Sequence, residues 1–412
     1  MVDSFKYLIV GNGLIGCASA RHMGQHSAQT LLVGPDEPAD WTGHHGVFAS
    51  HYDSGRITRI LDTDYVWGLL AERSIKRYRD LEKESGIEFA HMVGCLKAVP
   101  DNDWGRSYLQ ANIKVGNQLN VEYEEVTYSR LQTLFPYLRF PSSTIGVLER
   151  STAGWLDPRK MIRAQNAVAE KSGVKICRET VIKTQLIDNG VLATTDSGRE
   201  IKAEKVLVAA GAFSNFYDLV SKQLQITVRA ETTVLGEVSS THSLAGMPSL
   251  IYFMPDNQIS SYIYMVPPVV YPNGQSLIKI GGDSERNHTF SDLQSITQWF
   301  HSEGGEATQR EFKRVLQELL PDQKFLSWQS KPCVITDTAT ERPYIGNLDR
   351  NIFVGTGGCG AAAKSSDEIG RLAALSLTGE DFDSSYPHDA FQVVTHDSSS
   401  TESVRSVRKF HF

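Results

Sequence analysis

The beginning of the chain alternates between apolar runs and a glycine-rich break. Residues 7–10 are apolar and predict a strand, residues 11–16 contain three glycines, residues 17–25 have helical character, and residues 30–33 predict a second strand. Strand, glycine turn, helix and strand in this order predict a parallel βαβ unit.

Apolar strands followed by glycine return far downstream, at Val206 to Gly211 and at Ile352 to Gly360. Between them, residues 226–290 are rich in Val, Tyr, Ile and Thr with repeated turn residues, which predicts an antiparallel sheet. A simple nicotinamide dehydrogenase would continue with consecutive βαβ units. The discontinuous pattern instead favours an extended FAD in a two-domain protein of the α/β (α+β) class, with a Rossmann-like cofactor domain.

Helical spacing of apolar residues and N-cap residues predict the main helices. Asp157 followed by Pro158 is typical of an N-cap and its first helical position, so a helix is expected to run to about Lys171. The other helices are predicted at 64–85, 292–300, 307–320 and 362–375.

These patterns predict a division into two domains and a tail. The FAD-binding domain is expected to comprise 1–90, 146–225 and 330–390. The substrate domain is expected to comprise 91–145 and 226–329. The serine-rich end, 391–412, is expected to be mobile.

Composition narrows the class of protein. The 412 residues carry 41 Lys and Arg against 48 Asp and Glu, a net charge of −7, which argues against nucleic-acid binding. No apolar run approaches the roughly 20 residues of a membrane span. The five cysteines are scattered without metal-ligand spacing, so we expect reduced thiols, a cytoplasmic location and no metal site.

The glycine turn has the spacing of a dinucleotide-binding motif. Gly11 permits the tight turn, Gly13 allows the backbone to approach a pyrophosphate, and Gly16 lets helix and strand pack closely. The position after the second strand, which often carries an acid for the adenosine ribose, is Gly34. Asp36 and Glu37 are the nearest candidates for that contact.

Four further segments have a recognisable character. They are the His and Arg block 50–59, the Lys strand 276–282, the Cys and Thr block 331–343, and the glycine turn 355–364. In this order they resemble the D-amino-acid-oxidase superfamily of flavoproteins, in the branch that contains monomeric sarcosine oxidase and N-methyltryptophan oxidase. The resemblance covers about residues 5 to 385.

The resemblance implies FAD as the cofactor and a set of residues around it. His51 and Arg56 would lie near the isoalloxazine, and Cys333 would form a thioether to the flavin. The alternative for Cys333 is an ordinary buried cysteine beside non-covalent FAD. The remaining cofactor residues implied are Ser50, Gly211, Gly357, Gly358, Gly360 and Lys364.

The same resemblance implies the residues that act on substrate. Arg59 and Lys364 would bind a substrate carboxylate, for which a guanidinium is well shaped. Lys279 would promote the reaction with oxygen, and Tyr264 would line the pocket, with Tyr262 as an equal candidate. Asp283 stands where the family often has a His.

The resulting hypothesis is oxidation of a secondary or N-methyl amino acid, or another amino-carboxylate, to an imine, with O2 reduced to H2O2. One alternative is a flavin dehydrogenase that passes electrons to a quinone or carrier protein. Another is a flavin-binding redox sensor without turnover. We expect a monomer or small homo-oligomer, and the sequence does not identify the amine.

Overall fold

A computed structural model describes residues 2–239, 244, 246–254, 259–285 and 288–397 of the chain. Within these residues the helices are α1 (Leu14–Gly24), α2 (Tyr65–Ser85), α3 (Asp103–Gln118), α4 (Tyr128–Leu134), α5 (Pro158–Lys171), α6 (Leu293–Phe300), α7 (Glu306–Leu319) and α8 (Ala362–Thr378). No helix in this part of the chain is long and apolar enough to cross a bilayer.

The strands of the described residues fall into three sheets. They are β1 (Asp3–Val10), β2 (Thr30–Val33), β3 (Arg56–Thr58), β4 (Ala90–His91), β5 (Cys95–Pro100), β6 (Tyr123–Val126), β7 (Thr144–Glu149), β8 (Gly154–Leu156), β9 (Lys175–Cys177), β10 (Val181–Ile187), β11 (Gly190–Thr195), β12 (Glu200–Val208), β13 (Ile226–Val238), β14 (Ser249–Phe253), β15 (Tyr262–Val270), β16 (Ser276–Gly282), β17 (Thr289–Phe290), β18 (Phe325–Thr338), β19 (Tyr344–Asp349) and β20 (Ile352–Thr356).

An eight-stranded sheet contains the predicted βαβ unit. Its parallel part runs β9–β2–β1–β12–β20, and α1 packs against α5 and α8. The carboxyl ends of parallel strands meet at one edge of a sheet. This edge therefore brings together the glycine turns after β1, β12 and β20, although they are separated by hundreds of residues in the chain.

The second sheet has nine strands, in the order β17–β13–β16–β15–β14–β5–β7–β6, and β18 also pairs with β13. Its pairs are antiparallel except for β5 and β14. The mixed α/β class with a Rossmann-like unit and a largely antiparallel second sheet is thus confirmed.

The register of this sheet shows which side chains share a face. Residues directly opposite each other on neighbouring strands point to the same face, and so do residues two apart along one strand. One row runs from Lys97 on β5 through Ile251 and Tyr264 to Gly281 on β16, and then to Thr233 on β13. The same face therefore carries, in addition, Lys279, Glu231, Lys331 and Cys333.

Three aspartates account for helix starts that the sequence predicts well. Asp64, Asp157 and Asp292 each accept a hydrogen bond from a backbone N–H three residues on, which satisfies a donor that the first helical turn leaves without a partner. The observed helices begin at the following residue in each case.

One expectation stays a prediction and another needs correction. Strand β18 pairs along its whole length with β13 of the nine-stranded sheet, whereas the sequence pattern predicts residues 330–338 in the cofactor domain. The first part of the expected tail is packed: Phe391 and Val394 are buried, and the N–H of Gln225 donates to the carbonyl of Val394. Apolar side chains there cover the edge of the first sheet. The rest of the tail, 398–412, lies outside the described residues, and the domain boundaries remain a prediction.

Candidate active site

The glycine turn 11–16 is built closely against the neighbouring strands. A Cβ on Gly11, which has a φ of +112°, would lie 2.5 Å from the carbonyl oxygen of Ala209, and one on Gly16 would overlap the carbonyl oxygen of Gly11. A Cβ on Gly13 would meet no protein atom closer than His51 Nδ1, at 4.0 Å. Space is therefore left at the start of α1, where no side chain caps the helix.

The other two glycine turns lie at the same edge. Gly211 accepts hydrogen bonds through its carbonyl from Ser214 and from Thr356, at the end of β20. The turn holding Gly357, Gly358 and Gly360 then leads into α8, which also has no side-chain cap. The structure thus brings the cofactor-binding glycines predicted from three separate segments into one edge.

His51 is a neutral group in this setting. It is buried, and its ring contacts that of Tyr52 with centroids 4.7 Å apart. Burial, with the positive charges of Arg159 and Arg56, lowers the pKa of His51 to about 3. His51 is therefore available near the turn as a hydrogen-bonding ring and not as a cation.

The residues beyond β2 are held by arginines. Glu37 forms a bidentate pair with Arg159, with both N–O distances 2.6 Å, and Asp36 lies 3.2 Å from Arg178. Asp36 and Glu37 are thus both engaged with side chains of this chain. Their predicted role toward a ribose stays a prediction.

Asp53 connects two of the predicted site residues. Its Oδ2 accepts from Lys279 Nζ at 2.5 Å and from Arg56, while its Oδ1 accepts from the Tyr271 hydroxyl at 2.8 Å. The Lys279 ammonium also donates to the carbonyl of Gly55 at 2.7 Å. Burial and the nearby charge of Arg56 hold the pKa of Lys279 well below its usual value.

Arg56 extends this group to Cys333. Its Nη2 lies 3.9 Å from the Cys333 sulfur and donates to the Ser50 carbonyl at 2.8 Å. Ser50, Arg56 and Cys333 line a shallow depression at this point of the surface. The Tyr264 ring also lies near Lys279, with 5.4 Å between Nζ and the ring centroid.

The two predicted carboxylate-binding cations converge as well. Arg59 Nη1 lies 2.9 Å, and Lys364 Nζ 3.4 Å, from the same Oδ2 atom of Asp62. Lys364 also donates to the carbonyl of Trp67 at 3.2 Å. The Asp62 carboxylate therefore lies between these two cations.

Sequence reasoning missed Asp53, Asp62 and a third buried carboxyl, Glu231. Glu231 lies on β13 opposite Cys333 and is 4% exposed, with a carboxylate oxygen 3.4 Å from Arg229. Burial raises its pKa from 4.5 to about 7, against the opposing effect of Arg229, Lys279 and Arg56. Nothing in its local sequence sets it apart from other strand residues.

Replacement of Glu231 by Gln is expected to stabilise the protein by an amount that grows as the pH rises from about 4.5 to about 7. In the folded chain the carboxyl stays protonated up to about pH 7, whereas in the unfolded chain it ionises near pH 4.5. Stability is therefore lost as pH rises through this window, by up to about 3 kcal/mol at pH 8–9. Denaturant unfolding of wild type and Glu231→Gln at pH 5 and pH 8.5 measures the difference.

Glu237→Gln is the matched control, because it removes a carboxyl from the same strand. The difference in unfolding free energy between Glu231→Gln and wild type should be about 1 kcal/mol or less at pH 5 and about 3 kcal/mol at pH 8.5. A Glu231→Gln effect that is the same at both pH values would contradict a raised pKa.

The comparisons with known proteins cover nearly the whole chain. The model of the family "DAO: FAD dependent oxidoreductase" matches residues 6–375. The chain belongs to this family of FAD-dependent oxidoreductases.

A curated relative and two solved structures resemble the chain at low identity, and the structures show the fold alone. The monomeric sarcosine oxidase of Bacillus sp. (strain B-0618) is 24% identical over 398 residues, which cover 92% of this chain and 94% of that one. Among solved structures, NikD, an amino acid oxidase of nikkomycin biosynthesis, has a TM-score of 0.76 at 18% identity and covers 96% of this chain and 98% of its own. The L-proline dehydrogenase of P. horikoshii has a TM-score of 0.73 at 17% identity, with coverages of 92% and 95%.

The residues present fit the FAD that this oxidoreductase family requires. Gly13 leaves open space at an uncapped helix start, and amides at such a position suit a pyrophosphate. The start of α8 is uncapped in the same way at the same sheet edge. Among the residues that the structure describes, no group of three His, Cys, Asp or Glu has the arrangement of a metal site.

Proposed function

We propose that the protein is an amine oxidase that acts on a secondary or N-methyl amino acid, or a related amino-carboxylate, and yields an imine and H2O2. The observation that carries this proposal is the convergence of Arg59 and Lys364 on one carboxylate oxygen. Two cations that share an acidic group at the cofactor side of the sheet are suited to bind the carboxylate of an amino acid.

Arg59 retains donors for such a ligand. Its Nη1 is used by Asp62 and by the carbonyl of Leu61, whereas Nε and Nη2 form no hydrogen bond to the residues that the structure describes. Through that edge a guanidinium can donate two parallel hydrogen bonds to one carboxylate. Asp62 would then position Arg59 and neutralise one charge while the substrate is absent.

The chain's other groups orient the reaction. A carboxylate held by Arg59 and Lys364 directs the amine and its neighbouring carbon toward the face with Tyr264 and Lys279, so much of the rate comes from positioning. FAD, when bound, supplies the acceptor for the hydride equivalent and passes the electrons to O2. The amine must be deprotonated to react, so activity should rise with pH.

Cys333 is proposed as the site of a covalent bond to FAD. Cys333 is partly exposed, and its sulfur lies 3.9 Å from the Arg56 guanidinium, at the depression that Ser50 also lines. Acid precipitation of the purified protein should leave a yellow pellet. Cys333→Ala should leave a white pellet and a yellow supernatant, whereas Cys177→Ala, a buried cysteine elsewhere, should not change the colour of the pellet. A yellow pellet from Cys333→Ala would remove the assignment.

Transfer of electrons to a quinone or carrier protein is the second candidate. NikD and L-proline dehydrogenase have the same fold as this chain, so the fold alone does not distinguish an oxidase from a dehydrogenase. Lys279 favours the oxidase, since a buried ammonium would stabilise the negative charge that oxygen acquires.

The test is anaerobic mixing of the purified protein with N-methyl amino acids and with their methyl esters. Bleaching of the flavin spectrum by the acids, with at least about tenfold weaker binding of the esters, is expected because an ester cannot form the charge-assisted bonds. Admission of air should restore the spectrum and release H2O2. Failure of every amine to bleach the flavin would leave the redox-sensor alternative.

A further inference from the structure

A third buried cation lies beside the proposed carboxylate site and has no role in the function proposed above. Lys97, on β5, is 1% exposed. Its row in the sheet register leads through Ile251 to Tyr264, so its side chain is on the same face as Tyr264 and Lys279. A lysine is rarely buried unless an acidic group accompanies it.

The contacts of Lys97 do not supply that acidic group. Its Nζ donates to the side-chain oxygen of Asn112 and lies 5.5 Å from the centroid of the Tyr108 ring, both on α3. Within the described part of the chain it forms no ion pair. An ammonium has three N–H donors, and a buried donor without an acceptor is costly.

The nearby carboxylates are occupied elsewhere. Asp62 lies between Arg59 and Lys364. Glu149, opposite Cys95 in the register, accepts from the backbone N–H groups of residues 60 and 61 and from Thr152. Both acids therefore serve other donors.

The register places Lys97 beside the segment that carries Arg59, because Lys97 lies two residues from Cys95 on the same face of β5, and Glu149, opposite Cys95, binds the backbone N–H groups of residues 60 and 61. Burial, followed by the positive charges of Arg59 and Lys364, holds the pKa of Lys97 well below its usual value, while Asp62 acts in the opposite direction. A ligand carboxylate next to Lys97 would offset both effects and supply the missing acceptor.

We propose that Lys97 binds a second carboxylate of the substrate, so that the preferred substrate is an N-substituted amino acid with an acidic side chain. The inference rests on the proposed amine oxidation and adds a substrate class to it. The α-carboxylate would bind Arg59 and Lys364, and the distal carboxylate would bind Lys97 between Tyr108 and Asn112.

The experiment compares N-methylglutamate with N-methylglutamine, which have nearly the same size and differ in the distal charge. Both enantiomers are used, steady-state turnover in air gives KM and the limiting rate, and anaerobic flavin reduction checks the amine oxidation itself. Wild type should have a KM for N-methylglutamate lower by about 10-fold to 100-fold, with little change in the limiting rate. Lys97→Met should abolish this preference, and Lys97→Arg should restore part of it.

A binding measurement without turnover uses glutarate and butyrate, which have two carboxylates and one. Glutarate should raise the melting temperature of wild type more than butyrate does, and Lys97→Met should remove the difference. Because wild type alone gives this comparison, it remains decisive if the variant does not fold.

The outcomes separate the two proposals. Equal KM values for the two N-methyl compounds, or equal effects of glutarate and butyrate on wild type, would overturn the role of Lys97 and leave the amine oxidase intact. Absence of flavin reduction by any amine, together with a glutarate effect that depends on Lys97, would overturn the oxidase and retain the anion subsite.

Discussion

Replacement of Lys279 by Met should slow the reaction of the reduced enzyme with O2 by about 10²-fold to 10³-fold, the usual effect of removing one electrostatic stabiliser from a closed site. The Lys279 ammonium is 1% exposed and lies next to Asp53 and Tyr264. Because Lys279 is shielded from water, a positive charge there stabilises developing negative charge more than it would in water. Anaerobic reduction by substrate should change less than about tenfold, because Arg59 and Lys364 are left in place.

Stopped-flow absorbance separates the two half-reactions: anaerobic mixing with substrate, and mixing of the reduced enzyme with aerated buffer. Lys331→Met is the matched control, since Lys331 lies on the same sheet face two strands away, over the rings of Trp41 and Tyr271. If Lys279→Met slows both half-reactions equally, the role of Lys279 in the reaction with O2 is wrong, and the lysine is assigned to substrate binding. A wild type that is reduced by amines but does not react with O2 would favour the dehydrogenase.

Local patterns were sufficient to predict much of the fold. The glycine turn, the capping aspartates and the β-branched stretch 226–290 are encoded by neighbouring residues, and the structure confirms the elements they predict. Helix α3 was not predicted. It contains Gly105 and Gly116, which lower helix propensity, but a Cβ at either position would collide with a carbonyl oxygen or with Leu61. Packing therefore requires glycine at both positions, and these glycines weaken the sequence pattern from which a helix is predicted.

The candidate site shows the same contrast between what local patterns predict and what distant contacts determine. The resemblance implies Arg56, Arg59, Lys279, Cys333 and Lys364, and the structure places them in two groups, one around Asp53 and one around Asp62. Their roles remain proposals. The carboxylates that lie next to these cations were not predicted, because each of them has a partner that is far away in the sequence.

Asp53 illustrates why. It meets Lys279 across 226 positions of the chain. Asp62 and Lys364 are likewise joined only by the packing of α8 against the segment after β3. A carboxylate on a strand or turn has no local feature that indicates such a partner.

The second large effect is expected from Gly13→Ala, which should weaken FAD binding by at least about 100-fold while the apoprotein remains folded. A Cβ at this position would lie 4.0 Å from the nearest protein atom, and the backbone has a φ of −90°, which alanine adopts readily. The cost to the apoprotein should therefore stay near that of a changed N-cap, about 1 kcal/mol or less. A bound pyrophosphate would instead meet the methyl group and lose charge-assisted hydrogen bonds to the start of α1.

Gly16→Ala is the informative contrast, because its methyl group would overlap the Gly11 carbonyl and disturb the turn itself. Both substitutions are best made in the Cys333→Ala background, so that FAD binds reversibly if wild type holds it covalently. Flavin fluorescence titration gives the affinity, and circular dichroism of the apoproteins gives their stability. Gly16→Ala should lower both, whereas Gly13→Ala should lower the affinity alone. If Gly13→Ala binds FAD as tightly as its parent does, the pyrophosphate does not lie at this helix, and the cofactor has to be assigned to another part of the sheet edge.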